Sequence, residues 1–201
     1  MNTIIPVSLF ILIMIPYSIY IGLILKYGKK GSSAMKSEKK LSISIIIPTY
    51  NEEFLIGKKL ENIFNMEYPQ ELIEIVIIDS STDRTPEIIK EYQKKYANIN
   101  LIRQERSGLA TALNTAYAAA QNEIVIKTDC DSMLEKDALR KVSSDFGDHK
   151  IGGVTGKQIV INESKVEEGY RSLQSRVQIA ESWVDSTIIF HGPFSAYRKN
   201  L

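Results

Sequence analysis

The first twenty-five residues carry no charged side chain, and from Ile4 to Leu25 the chain is almost wholly apolar. That is the length needed to cross a hydrocarbon core of about 30 Å. Pro6 and Pro16 suit a membrane helix better than a soluble one. From Leu41 the pattern changes to short apolar runs alternating with amphipathic stretches. Ser42 to Ile47 reads as a buried strand stopped by Pro48, followed by a helix capped by Asn51 with Leu55, Ile56, Leu60, Ile63 and Phe64 on one face. Ile73 to Ile78 predicts a second strand, and Thr85 with Pro86 a cap and first-turn proline for a second helix. A third strand is expected at Ile99 to Arg103 and an alanine-rich helix at Leu109 to Ala120. A fourth strand follows at Glu123 to Lys127, then a helix at Glu135 to Phe146. Further on, Gly152 to Ile161 suggests a strand, Lys165 to about Asp185 a long helix, and Phe194 to Arg198 an extended piece. The stripe Tyr170, Leu173, Val177, Ala180 and Val184 on that helix predicts core packing.

Four strand–helix units with short connections imply a mostly parallel sheet covered on both faces, a Rossmann-like, doubly wound α/β domain. In such folds ligands bind beyond the carboxyl ends of the strands. The expected organisation is therefore a transmembrane anchor at 1–25, a basic linker at 26–40 and an α/β domain at 41–201. That domain divides into the strand–helix units at 41–146 and a remainder at 147–201 in which the alternation changes. Lys26, Lys29, Lys30, Lys36, Lys39 and Lys40 directly follow the apolar segment. Their positive charge places the N-terminus outside and the remainder in the cytoplasm. No basic n-region or small-residue cleavage site supports a signal peptide.

Composition adds exclusions. A formal charge of +1 over 201 residues gives no reason to expect a nucleic-acid partner. A single cysteine, Cys130, rules out an internal disulfide framework and a multi-cysteine zinc site. Next to a metal pair it reads as a space-filler rather than a nucleophile.

Three polar clusters fall just past predicted strand ends: Pro48 to Glu53, Asp79 to Asp83, and Asp129-Cys130-Asp131. Neither a GxGxxG nor a GxxxxGK[ST] loop is present, so phosphate binding here needs another source of positive charge. Two aspartates one residue apart can hold Mg²⁺ or Mn²⁺ while substrate phosphates complete the shell. Taken alone, the pair suits a helix cap better than a metal site. Tyr50 is equally readable as a core aromatic, Asp79 and Asp83 as turn residues, and His191 as a structural histidine rather than a third ligand.

The runs Ile45 to Glu53, Ile77 to Thr85, Gly108 to Asn114 and Asp129 to Asp131, in that order, resemble the family 2 glycosyltransferases of GT-A fold. The resemblance covers residues 41–200. It implies that Pro48, Thr49, Tyr50, Glu52 and Arg106 line the nucleotide and that Asp79 accepts a hydrogen bond from its base. Asp129 then lies near ribose and metal, and Asp131 ligates Mn²⁺ or Mg²⁺. The implied donor is a UDP-sugar, and the implied acceptor a glycan or lipid-linked sugar at the membrane, with inversion at the anomeric carbon. There are departures: Ile78 and Ser80 stand where the family often has Asp and Gly, and Leu109 follows Gly108 where Lys is common. His191 to Arg198 is similar to a segment near the acceptor in the hyaluronan and cellulose synthase-like branch. That branch carries its catalytic base later in the chain, so the expectation is a truncated or split enzyme whose base lies beyond Leu201, on this gene product or on a second polypeptide. Rival expectations are a non-catalytic nucleotide-sugar-binding subunit, a nucleotidyltransferase and a purely structural tethered domain.

Overall fold

The computed structural model describes residues 4–30, 37–160, 165–187 and 189–200. Two compact units emerge: Met1–Ser33 with Lys157–Ile189, and Ala34–Gly156 with Phe190–Leu201.

The second unit is built on six strands: β1 (Ile43–Thr49), β2 (Ile73–Asp79), β3 (Ile99–Arg103), β4 (Ile124–Thr128), β5 (Gly153–Thr155) and β6 (Phe194–Arg198). They lie in the order β3-β2-β1-β4-β6-β5. The first four are parallel, while β6 runs antiparallel to both β4 and β5. The interleaved helices are α2 (Ile56–Phe64), α3 (Thr85–Gln93), α4 (Leu109–Ala119) and α5 (Ala138–Asp145).

Side-chain alternation along β1 decides the layering. Ile43, Ile45 and Ile47 join Ile75 and Ile77 against Ile56, Leu60 and Ile63 of α2, Ile89 of α3 and Leu139 and Val142 of α5. Ile46, with Val76, Ile78 and Val125, faces the other way and meets Ala112 and Ala116 of α4. Alanines four apart give α4 a flat face that rests close on the sheet. Gly108 opens this helix at φ 90°, a backbone conformation L side chains rarely adopt.

The local differences from the sequence reading have physical causes. Asn51 does not cap α2; it adopts φ 57° and its side-chain oxygen accepts from Thr82 N at 2.9 Å, so α2 starts only at Ile56. Thr85 is the first residue of α3 rather than its cap, because its hydroxyl is bonded to Asp83 and to Glu52 N. The fourth helix starts at Ala138, not Glu135. Leu134 exchanges both backbone hydrogen bonds with the Asn62 amide at 2.8 and 2.9 Å, which holds the preceding segment extended. Of the strand expected at Gly152 to Ile161 only Gly153–Thr155 pairs with β6, and Ile161 lies outside the described residues.

In the first unit, α1 (Ile4–Tyr27) is followed in space by α6 (Lys165–Val184). Pro6–Tyr27 is long and apolar enough to cross a membrane, with a mean hydropathy of 2.3. The two helices meet through Tyr20 OH donating to Glu181 at 2.9 Å and through Tyr27 and Trp183, whose rings stack 6.1 Å apart. Gly28 also approaches the Arg176 backbone too closely for a Cβ. The stripe expected to be core is therefore corrected: Tyr170, Leu173 and Val184 are exposed and only Ala180 is buried. The helix packs by a face through Arg176, Ala180 and Trp183, which shares only Ala180 with that stripe.

Replacing Ile45, which is fully enclosed in the central strand, by alanine should cost about 2–5 kcal/mol of unfolding free energy. Phe54→Ala, at a side chain 83% exposed, should change it by less than about 0.5 kcal/mol. Denaturant unfolding of the detergent-solubilised chain measures both.

Candidate functional site

The polar clusters all gather at the carboxyl ends of β1, β2, β3 and β4. The loop after β1 and the loop after β2 are laced together by backbone-to-side-chain bonds in both directions. Asn51 N donates to Ser81 Oγ at 2.8 Å, Glu52 N to Thr85 Oγ1 at 2.8 Å and Glu53 N to an Asp83 oxygen at 3.2 Å. In return Thr82 N donates to Asn51 Oδ1, and Arg84 N to the Glu53 carboxylate at 3.3 Å. Short polar side chains bonding nearby amides are what fix turns. Here each loop supplies the partners for the other.

Asp79 is the centre of this platform. In the sheet register Thr49 pairs with Asp79 and Asp79 with Arg103, so three strand ends place them in one row. Asp79 Oδ1 accepts from Thr49 Oγ1 at 2.8 Å and from both the amide and the hydroxyl of Ser81. Its Oδ2 accepts from Arg103 Nη1, while Arg103 Nη2 donates to the Ser81 carbonyl at 2.9 Å. The Asp79 side chain has no exposed surface, whereas that of Arg103 is 47% exposed. The carboxylate expected to face a base is therefore enclosed, with Arg103 as its solvent-facing partner.

Beyond β4, the Asp129-Cys130-Asp131 loop is held by two lysines. Lys59 of α2 is fully buried, and its Nζ donates to Thr128 Oγ1 at 2.9 Å and to the Ser132 carbonyl. It thus brackets the acidic loop at both ends. Burial brings the Lys59 ammonium down to about 8. Lys127, on β4, donates to Asp129 Oδ1 and to the Gly192 carbonyl at 2.6 Å, tying the loop to the turn before β6. Cys130 is buried, and burial foremost pushes its thiol up to about 12, which suits a space-filler.

Glu52 lies above the same loop. Desolvation chiefly, then the charges of Asp131, Asp83 and Asp129, hold its carboxyl above the usual range. Mutually repelling carboxylates of this kind attract a divalent cation. Hard oxygen donors on Asp131 and on the second oxygen of Asp129 fit Mg²⁺ or Mn²⁺, which take few protein ligands and leave positions for phosphate. Among the described residues, no group of three or more His, Cys, Asp and Glu side chains converges as a metal cage. His191 donates its backbone amide to Thr155 at 2.9 Å and joins no such group.

Of the other sequence-predicted residues, Pro48 and Thr49 end β1, and Thr49 reaches the site through Asp79. Tyr50 is 42% exposed rather than core, and the Arg106 guanidinium sits 4.0 Å from its ring centre. Lys59, Arg103 and Lys127 were not singled out from sequence. A signal existed for Lys59, which shares the apolar face of α2 at three residues from Ile56 and four from Ile63.

A parallel sheet with these clusters at its carboxyl ends, extended by an antiparallel pair, is an α/β architecture of GT-A type. The chain belongs to the family described as Glycosyl transferase family 2, which it matches over residues 44–201. It is 29% identical over 191 residues to a poly-beta-1,6-N-acetyl-D-glucosamine synthase of Staphylococcus epidermidis, covering 91% of this chain and 46% of that protein. Among solved structures it is similar to the mannosyltransferase PcManGT of Pyrobaculum calidifontis in complex with GDP-Man and Mn²⁺. That likeness has a TM-score of 0.73 and 31% identity, over 90% of this chain and 54% of the other. TarS of S. aureus in complex with UDP-GlcNAc aligns with a TM-score of 0.57 and 27% identity, over 62% of this chain and 36% of TarS. The chain thus spans about half or less of the length of these proteins.

Lys59 makes the site's packing pH-dependent. The unfolded chain binds a proton up to about 10.5 and the native state only up to about 8, so the native state carries a penalty on the order of 3 kcal/mol below pH 8. Wild-type stability relative to Lys59→Met should rise by about 1 kcal/mol per pH unit between pH 8 and 10. Unfolding curves of the two proteins across that range provide the test. A constant difference would mean that Lys59 is charged alike in both states.

Proposed function

We propose that this chain is the donor-binding part of a metal-dependent, inverting glycosyltransferase. In this reading it takes a UDP-sugar or another nucleoside-diphosphate sugar and serves a glycan or lipid-linked acceptor at the membrane. The observation that carries this reading is the convergence of Thr49, Asp79, Asp129 and Asp131 at the carboxyl ends of three adjacent parallel strands, in a member of this family. Pro48, Thr49, Tyr50, Glu52, Asp79 and Arg106 form the nucleotide side, with the open Tyr50 ring available for a base or ribose to lie against. Asp129 and Asp131 hold the cation, which when bound neutralises the charge that develops on the diphosphate leaving group. The laced loops keep these groups in place before the donor arrives, so little ordering cost falls on binding.

Transfer to a hydroxyl also requires a group to accept its proton. Glu181 is not assigned that role, because one of its oxygens accepts from Tyr20 and the other from Thr187 at 3.1 Å. The engagement of Glu181 leaves the proton acceptor unassigned among the described residues. It equally favours the second reading, a donor-binding subunit that performs no transfer itself; a transfer assay on the purified chain separates the two. The apolar Pro6–Tyr27 helix followed by Lys26, Lys29 and Lys30 supports a single-pass anchor with the donor site in the cytoplasm.

The direct test is calorimetric titration of UDP and GDP into the detergent-solubilised chain, with and without Mn²⁺, beside Asp131→Ala. Binding of one nucleotide should strengthen at least about tenfold with Mn²⁺, and Asp131→Ala should abolish that gain, the loss of a charged ligand contact. Absence of binding by either nucleotide under both conditions would overturn the reading.

A further inference from the structure

The acidic loop takes its shape from α2. From Asp129 to Asp137 the chain joins β4 to α5 through turns and extended backbone. Backbone groups in such a stretch need partners from elsewhere, and one face of α2 supplies them. Lys59 Nζ donates to Thr128 Oγ1 at 2.9 Å and to the Ser132 carbonyl. Three residues on, Asn62 Nδ2 donates to the Leu134 carbonyl at 2.9 Å, and Asn62 Oδ1 accepts from the Leu134 amide at 2.8 Å. Just past the helix, Glu67 N donates to the Lys136 carbonyl at 2.8 Å. Positions three apart are neighbours on a helix surface, so the loop is held at successive points along α2. Cys130 packs into the core between the two aspartates, while Asp129 is half-buried and Asp131 exposed.

Resting on the donor-site reading above, we infer that Lys59 and Asn62 are positioning residues for the divalent cation, holding Thr128, Ser132 and Leu134 so that Asp129 and Asp131 keep their spacing before the metal arrives. Mg²⁺ and Mn²⁺ take few protein ligands, so the placement of those few decides affinity. Both oxygens that Lys59 grips are neutral, and burying an ammonium on them is costly. A methionine would fill nearly the same space without that cost. What the lysine adds is a hold on both ends of the acidic loop. Its charge acts in the opposite sense, because a positive group near Asp129 and Asp131 repels an incoming cation. Grip and charge therefore predict opposite changes in metal affinity when Lys59 is removed. Asn62 is neutral and contributes grip alone.

The experiment titrates Mn²⁺ into the full chain in detergent, alone and with UDP or GDP, and reads free Mn²⁺ by electron paramagnetic resonance. Lys59→Met should weaken Mn²⁺ binding by about tenfold or more, the usual effect of removing a group that orients a metal ligand. Asn62→Ala should weaken it as well, with no change of charge to complicate the sign. Nucleotide binding without the metal should be unchanged in both. In metal-free protein, amides from Cys130 to Glu135 should exchange hydrogen faster in both variants while those of β1 and β2 keep wild-type rates. A general loss of structure would instead speed exchange across the sheet and weaken metal-free nucleotide binding. Mn²⁺ binding by Lys59→Met that equals or exceeds wild type would overturn the inference, leaving Lys59 a charge-balancing role and the donor site standing. Should that variant fail to fold, Asn62→Ala decides by the same comparison. If wild type binds no Mn²⁺ with or without nucleotide, the donor-site reading falls and this inference with it.

Discussion

A carboxylate with no access to water must be satisfied from within, and the site is arranged around that requirement at Asp79. Its donors come from the ends of two strands, β1 and β3, and from the loop after its own strand, so one buried charge ties together how β1, β2 and β3 finish. Once Ser81 is committed to Asp79, its hydroxyl oxygen also anchors Asn51, and the loop after β1 closes onto the loop after β2. Asn51 takes up a left-handed backbone conformation to make that closure. A residue with a short polar side chain tolerates this better than most. The surface formed by the two loops is thus held by satisfied polar groups rather than by apolar packing.

The acidic loop obeys a different rule, the balance of charge. Burial first, and then the nearby charges of Asp131, Asp83 and Asp129, raise the Glu52 carboxyl. Lys59 and Lys127 set two ammonium groups beside them, one through the loop backbone and one directly on Asp129. Burying Lys59 is costly in itself. The return is a loop whose ends are fixed by hydrogen bonds before any cation is present. The two ammonium groups offset part of the repulsion among the three carboxylates.

Among the described residues sequence periodicity located the six strands and the six α-helices, because alternation in β1 and helical spacing in α2 and α3 leave few other arrangements. Boundaries shifted where a side chain took over a backbone partner, as Asn62 does at Leu134 and Asn51 at Thr82; no local pattern reports such long-range substitutions. The candidate site residues were legible as types and positions past strand ends. The partnership of Asp79 with Arg103 was not, since it depends on a register that joins residues twenty-four positions apart. The stripe on α6 misled for the opposite reason: apolar spacing shows which face could be buried, not which one a neighbouring helix chooses. Lys59 was hidden by the habit of reading a lysine as solvent-facing, although its spacing put it on the buried face.

The antiparallel strand β6 has a consequence for how the protein is made. In the finished sheet β4 is interior, paired on one side with β1 and on the other with β6. Synthesis proceeds from the N-terminus, and sixty-five residues separate the end of one strand from the start of the other. Until Phe194–Arg198 leaves the ribosome, β4 is an apolar edge with unpaired backbone groups, the type of surface that recruits a wrong partner. Lys127 stands in that edge. Its ammonium, later drawn between Asp129 and Gly192, gives the nascent strand a charge that discourages pairing with another chain. The same side chain that helps shape the mature site thus also guards an unfinished one.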